Sequence, residues 1–305
     1  MHKKRKKSGF FLKLTVVLAI IVAIVFGAYF ALDKLVVPKY FKNYGINGMG
    51  DLVSVAKTLY KQPKEKEMIT NGFTPMDRTT AIEKLMEIGF PETAAGGAID
   101  YEKVARADFK VQMGEFVFTD RQVASILDDM LNDGVLANQL PDLKYIDTNN
   151  IDILDFVISP VLVAQAGGQK IYSSTKADIK LLFKFDTSAV RNQIALEMDT
   201  PLFLLDMIIP ETLYLTTIYS LELNSEGVWE TYGNIGVNGR DAEDSEILLN
   251  LLIDFIFPAE DNMSLSKLTE ACGNILLEGI GLLGDLKFQA NINGNGLNGL
   301  IITTK

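Results

Sequence analysis

The fold class of this chain follows from residues 179–185, Ile-Lys-Leu-Leu-Phe-Lys-Phe. Apolar side chains recur at every second position of this stretch, and Lys180 and Lys184 alternate with them: Ile179, Leu181, Phe183 and Phe185. Successive side chains of a strand point to opposite faces of a sheet. The period of two therefore predicts a β-strand that is buried on one face.

Two hairpins are predicted on the C-terminal side of this strand. One joins residues 213–223 to 229–237, and the other joins 286–292 to 298–304. Each pair is separated by a short stretch containing asparagine and glycine, which is typical of a tight hairpin turn.

On the N-terminal side, a strand is predicted over 109–118, with a β-bulge at Gly114 where its apolar phase flips. Thr119-Asp120-Arg121-Gln122 is a capping box, which predicts a helix over about 120–132. Another helix is predicted from Thr74-Pro75 to Ile88, ending at Gly89.

Further helices are predicted over 188–209, 242–257 and 264–281. Strands are thus grouped with strands, and helices with helices. This grouping indicates an α+β domain built on an antiparallel sheet, extending over residues 73–305.

A membrane anchor is predicted before this domain. Residues 14–32 contain no charged side chain, and at about 1.5 Å per residue they match the thickness of a bilayer core. A cluster of basic side chains precedes them near the start of the chain: Lys3, Lys4, Arg5, Lys6 and Lys7. Clustered positive charges stay in the cytoplasm, so this topology signal places the rest of the chain outside the membrane.

The predicted organisation has four parts: a cytoplasmic tail over 1–13, a transmembrane helix over 14–37, a juxtamembrane helix and linker over 38–72, and an extracytoplasmic domain over 73–305. The alternative is a cleaved signal peptide. We favour the uncleaved anchor because the apolar run is longer than a signal peptide needs, and because Tyr29 occupies a position where cleavage requires a small residue.

The charge balance disfavours nucleic acid as a partner. Residues 1–32 hold six of the 29 basic side chains and none of the 39 acidic ones, so residues 33–305 carry a net charge of −16. Such a domain repels phosphate backbones. The single cysteine, Cys272, excludes an intramolecular disulfide, and we expect a bacterial envelope protein.

Few side chains suit catalysis. The only histidine is His2, in the predicted cytoplasmic tail, so no histidine-based triad or zinc site is expected outside the membrane. Cys272 lies in an apolar helical stripe, which favours a buried role. Residues 147–152 begin like a calcium loop but lack its glycine. We therefore expect no enzyme, no metal and no cofactor.

Residues 247–257 are more apolar than a helix on one face of a sheet requires, with nine apolar side chains among eleven. A helix enclosed on two sides in an ordinary core explains this composition. The other explanation is a groove for a lipid or another apolar ligand.

The capped helix at 119–127, the anchor and the long alternating strands resemble the tubular lipid-binding (TULIP-like) proteins of bacterial envelopes. The similarity covers residues 105–305. It implies a strongly curled antiparallel sheet wrapped around a helix, with lipid held in the channel, and it identifies no individual ligand residue.

From these observations we expect a membrane-tethered, non-catalytic binding module that holds a lipid or another apolar ligand in a groove. The residues expected to line the groove are Ile126, Met130, Phe183, Phe185, Leu248, Leu252 and Phe255. The alternative is a scaffolding protein of the envelope that binds proteins or cell-wall polymer, with a filled core and an exposed apolar patch. A sensor that signals through a membrane partner is a third possibility.

Overall fold

A computed structural model describes residues 34, 47–60, 63–106, 109–132, 151–197, 210–240, 284–292, 294 and 296–304. These residues form an α+β fold, which confirms the predicted class, but their strands form two antiparallel sheets where one was predicted. The chain divides into two compact units, Met1–Lys57 and Thr58–Lys305. The predicted transmembrane helix lies outside the described residues.

The described elements are as follows in chain order: α1 Met49–Tyr60, α2 Glu65–Met68, α3 Pro75–Ile88, α4 Tyr101–Ala105, β1 Gly114–Thr119, α5 Asp120–Asn132, β2 Ile151–Ala166, β3 Gln169–Asp186, α6 Ser188–Glu197, β4 Thr212–Leu223, β5 Trp229–Val237, β6 Gly284–Ile292 and β7 Leu297–Thr304.

The strands form one sheet of order β1-β7-β6 and another of order β2-β3-β4-β5, with every neighbouring pair antiparallel. Both predicted hairpins are confirmed, as β4–β5 and β6–β7. The strand predicted at 179–185 is confirmed as part of β3, which pairs with β2 on one side and β4 on the other.

The predicted helix boundaries follow from capping chemistry. In α3, Thr74 and Asp77 form a reciprocal capping box, and Gly89 ends the helix in the left-handed region at φ 109°. At the start of α5, the Gln122 N–H donates to Thr119 Oγ1 at 3.3 Å, and the Thr119 N–H donates to Gln122 Oε1 at 3.1 Å. Both caps satisfy backbone groups that a helix end leaves unpaired.

One hydrophobic core joins the two sheets with α3, α4 and α5. Phe156, Ile158 and Ile179 come from one sheet, and Phe118 and Phe288 from the other; all five are nearly or fully buried. The Trp229 ring packs edge-on against Phe288, with ring centroids 5.5 Å apart. The core therefore lies between the sheets, and α5 contributes to it while packing against β2.

Some sequence predictions were wrong. Residues 109–113 are not strand; β1 begins at Gly114 and pairs with β7 without a bulge. The strand β2 was missed, because the bulge near Leu154 and the proline at position 160 interrupt its period. The helix predicted over 188–209 is present over Ser188–Glu197; 198–209, like the predicted helices 242–257 and 264–281, lie outside the described residues.

Candidate binding surface

Four of the predicted groove residues lie in the described part of the chain. Ile126 and Met130 of α5 and Phe183 of β3 are half-buried, and each packs against the hydrophobic core. Phe185 is buried and pairs with Leu213 of β4. The remaining three, Leu248, Leu252 and Phe255, lie outside the described residues.

A hydrogen bond sets the position of α5 relative to the sheet. The Ile153 N–H of β2 donates to Asp128 Oδ1 of α5 at 3.2 Å, and Ile153 is paired with Phe183 on the next strand. Phe183 is thus one strand away from the helix that carries Ile126 and Met130. The three half-buried groove candidates thus come from two elements that pack against the same core.

Asp128 also joins α5 to α3. The Arg78 guanidinium contacts Asp128 Oδ2 at 2.5 Å and Asp129 Oδ1 at 3.0 Å. Burial raises the pKa of Asp128, and the Ile153 hydrogen bond and the Arg78 charge act in the opposite direction. Since both of its carboxylate oxygens have partners within the fold, we assign Asp128 a structural role.

A second buried carboxylate, Asp155 of β2, holds the segment before α3. It accepts hydrogen bonds from the backbone N–H of Thr70 and of Asn71, both at 2.8 Å. The Asn71 side chain in turn accepts a bond from Arg121 Nε at 2.7 Å. Asn71 also forms a hydrogen bond with Asp120, the first residue of α5. Burial raises the pKa of Asp120, and this hydrogen bond acts to lower it. The Asp155 carboxylate and the Asn71 amide therefore have hydrogen-bond partners within the fold.

The most exposed apolar surface in the described residues is the end of the β2–β3 hairpin, residues 161–172, which we call the arm. All twelve of its residues are exposed. Gly167 and Gly168 form its turn, with φ of 57° and 81°, as a two-residue hairpin turn requires. β4 pairs with β3 only from Lys176 onward, so the arm extends beyond the rest of the sheet.

The arm is apolar on both of its faces. Leu162 pairs with Tyr172, and Ala164 pairs with Ile171, with a register shift between the two pairs. Adjacent residues of β3 point to opposite faces, so Tyr172 and Ile171 place one apolar pair on each face. Leu162 and Ile171 are both 48% exposed, which leaves both faces open.

The arm also differs from the rest of the domain in charge. Lys170 is its only charged residue, and no acidic residue occurs in 156–177. Residues 33–305 as a whole carry a net charge of −16. The arm is therefore an apolar, weakly basic element on an acidic domain.

Backbone groups at the edge of β2 are occupied just before the arm. β2 is the edge strand of its sheet, and the Ile158 carbonyl accepts a hydrogen bond from Asn298 Nδ2 at 2.7 Å. Pro160 follows and has no N–H to donate. Edge strands with such features resist the addition of another strand.

Among the described residues, no group of three or more histidine, cysteine, aspartate or glutamate side chains is arranged to hold a metal ion. Within the same ranges, none of the helices has the length and apolar character needed to cross a membrane.

Comparison with models of known protein families gives no match, and neither curated proteins nor solved structures show significant similarity to this chain. The resemblance to tubular lipid-binding proteins stays a prediction.

The arm was missed in the sequence, although a signal for it exists. Gly167-Gly168 separates an apolar run at 156–164 from Ile171 and Tyr172, and a glycine pair between two such segments is typical of a two-residue hairpin. The exposure of the arm depends on strand lengths, because β2 and β3 have 16 and 18 residues and β4 has 12.

Proposed function

We propose that this protein is a non-catalytic binding module of the cell envelope, tethered by residues 14–37, which docks on a partner outside the chain through the arm. The observation that carries the proposal is the exposure of the arm on both faces, with Val163 57% exposed at its centre. Large apolar side chains grouped on a surface are typical of an interaction site.

The packing of the core supports docking at a surface. Ile126, Met130 and Phe183 pack against the same buried cluster that joins the two sheets. Their side chains contribute to a core that includes fully buried Phe156 and Ile158. The arm presents its apolar side chains to the outside instead.

The tether rests on the sequence of residues 1–32, where the basic cluster precedes an uncharged run of 19 residues. We expect the full chain to stay in the membrane fraction after alkaline carbonate extraction. We also expect a protease added on the cytoplasmic side to remove only the first residues of the chain. Release by carbonate would reject the tether and would not bear on docking by the arm.

Photo-crosslinking tests the docking. A benzophenone amino acid is placed at position 163 of the full chain in intact cells, with position 232 as the control. Tyr232 of β5 is 65% exposed and lies outside the arm. We expect an adduct from position 163 and none from position 232. Equal labelling at both positions would reject the arm as the docking element.

A lipid held in a groove is the second candidate function. It rests on residues 247–257, where nine of eleven side chains are apolar, and on the part of Ile126, Met130 and Phe183 that the core leaves exposed. Burial of an acyl chain contributes about 0.8 kcal/mol per CH₂ group. This candidate predicts a stoichiometric lipid adduct in native mass spectrometry, and its loss in Leu252→Asp.

A matched control separates retention from folding. Leu196→Asp makes the same change at a side chain that is 78% exposed on α6. We expect this variant to keep the adduct. If Leu252→Asp folds normally and retains lipid, the groove is rejected.

A further inference from the structure

We infer that the arm is a lipid-contacting element, which inserts its tip into the interfacial layer of a bilayer that carries anionic headgroups. This inference rests on the proposed docking by the arm and names the partner. It does not depend on the groove.

The distribution of apolar side chains favours a lipid over a protein partner. A hairpin that packs on a protein surface needs one apolar face, whereas an inserted tip is surrounded on all sides. One face of the arm exposes Leu162 and Tyr172, and the other face exposes Ile171. Both faces of the arm therefore lose contact with water only if the partner surrounds them.

Charge complementarity favours an anionic bilayer. Lys170 is next to the turn, and no carboxylate lies in 156–177 to oppose its attraction to anionic headgroups. A lysine near a negative leaflet is attracted to its headgroups, and this attraction strengthens binding. The acidic remainder of the domain is repelled by the same surface, so contact is confined to the arm.

Pairing of β2 with a second copy of the chain is disfavoured by the irregular edge that β2 presents in the arm. Pro160 removes a donor where β2 enters the arm, and the register shifts between Pro160 and Leu162 and between Leu162 and Ala164 distort the strand. A regular ladder with another strand needs evenly placed donors and acceptors, which this edge lacks.

The open edges also limit the depth of insertion. Unpaired N–H and C=O groups are tolerated where water reaches them but not in the hydrocarbon core. With a rise of about 3.3 Å per residue, the six residues of β2 in the arm reach about 20 Å. We therefore expect only the tip, near residues 163–170, to enter the headgroup and upper acyl region, as interfacial elements do.

Depth-dependent quenching tests the inference on the full chain. A fluorophore that responds to polarity is attached to Val163→Cys in a Cys272→Ser background, and the chain is reconstituted in vesicles of equal parts phosphatidylglycerol and phosphatidylcholine. Lipids with a doxyl quencher near the headgroup are included. The control carries the fluorophore at Tyr232→Cys. We expect at least threefold stronger quenching at position 163 than at position 232.

A second pair of variants tests the role of charge. Lys170→Glu should reduce quenching at position 163 several-fold on the anionic vesicles and leave it unchanged on phosphatidylcholine alone. Lys110→Glu makes the same change of charge outside the arm, at an exposed residue, and should have no effect.

Four results would overturn the inference. Equal quenching at positions 163 and 232 would exclude insertion. If the fluorophore at position 163 already reports an apolar environment before lipid is added, the chain itself covers the arm. Disulfide formation between copies of the unlabelled Val163→Cys variant would identify a second copy as the partner. A protein adduct in the photo-crosslinking experiment, with no quenching here, would retain docking by the arm and reject the lipid surface.

Discussion

Asp155 and Thr70 are joined by two hydrogen bonds, although they lie 85 positions apart in sequence. The Asp155 carboxylate is fully buried, and its Oδ2 accepts from the Thr70 backbone N–H at 2.8 Å and from the Thr70 hydroxyl at 2.6 Å. Through this contact β2 holds the segment that leads into α3. The segment belongs to the folded domain and is not a free linker.

We expect Asp155→Asn to destabilise the domain by about 2–4 kcal/mol, because an amide cannot accept all the bonds that the carboxylate accepts and presents a donor to buried N–H groups. The measurement is the free energy of unfolding in urea. Asp178→Asn is the control: Asp178 is exposed and bonds the Ser220 hydroxyl at 2.6 Å. Its change should stay within about 0.5 kcal/mol. Equal effects would contradict a special role for Asp155.

The pH dependence of stability should contain a component from Asp120. Burial raises its pKa above the ordinary value of 3.8. The unfolded chain thus loses this proton near pH 3.8, and the folded chain keeps it to a higher pH. Between the two pKa values the folded state binds more protons, so stability falls as pH rises through this window.

Asp120→Asn removes this component and keeps an oxygen for the Arg121 N–H, which donates to Asp120 Oδ1 at 3.0 Å. Relative to the wild type, the variant should therefore gain stability as pH rises above about 4, as measured by urea unfolding at a series of pH values. Asp100→Asn is the control of opposite sign, because hydrogen bonds from Lys103 lower the pKa of Asp100. The wild type should be more stable than Asp100→Asn near neutral pH, and this difference in stability should disappear as pH falls below 3.8.

Asn238 and Asn291 provide a matched pair for the cost of buried amide bonds. Both have φ of 51°. The Asn238 side chain is fully buried, accepts from the Tyr214 N–H at 3.0 Å and donates to the Thr58 carbonyl at 2.9 Å. Asn291 is exposed, and its Oδ1 accepts from the Gly296 N–H at 2.7 Å.

Alanine at either position meets the same backbone strain, so the difference between the two variants isolates the buried bonds. We expect Asn238→Ala to cost about 2–3 kcal/mol more than Asn291→Ala in the free energy of unfolding. The measurement is urea unfolding under identical conditions. A difference near zero would show that water or local rearrangement replaces the lost bonds at position 238.

Local chemistry made part of this fold predictable from the sequence. Thr74 with Asp77, and Thr119 with Gln122, fix helix starts within three or four residues, and Gly89 ends a helix because its left-handed backbone suits glycine. The hairpin β4–β5 is likewise set by a short turn. Each of these signals lies within one element and its immediate neighbours.

The parts that escaped prediction depend on contacts between distant residues or on broken periods. β2 was missed because a bulge near Leu154 shifts its phase, and because Pro160 argues against a central strand when it in fact lies on an edge strand. The bonds from Asp155 to Thr70 and Asn71 join residues whose proximity no local pattern encodes. The groove candidates Ile126 and Phe183 were identifiable as apolar, but their packing in a shared core was not.

Gly299 of β7 should tolerate no side chain. A Cβ at this position would clash with the Phe118 carbonyl oxygen of β1 and with the Ile292 side chain of β6, so the glycine permits close approach on both sides of the central strand. Because backbone atoms cannot rotate away, we expect Gly299→Ala to destabilise the domain by about 2–3 kcal/mol, as overpacking does.

Gly114→Ala is the control within the same sheet. Its added Cβ would meet only the Phe116 ring, at 3.0 Å, and that side chain is half-buried and able to turn. We expect a change within about 1 kcal/mol, since the removal of a glycine also lowers the entropy of the unfolded chain. Comparison of the two urea midpoints gives the result. Equal midpoints would mean that β1 and β7 move apart without cost, and that their close approach does not stabilise the sheet.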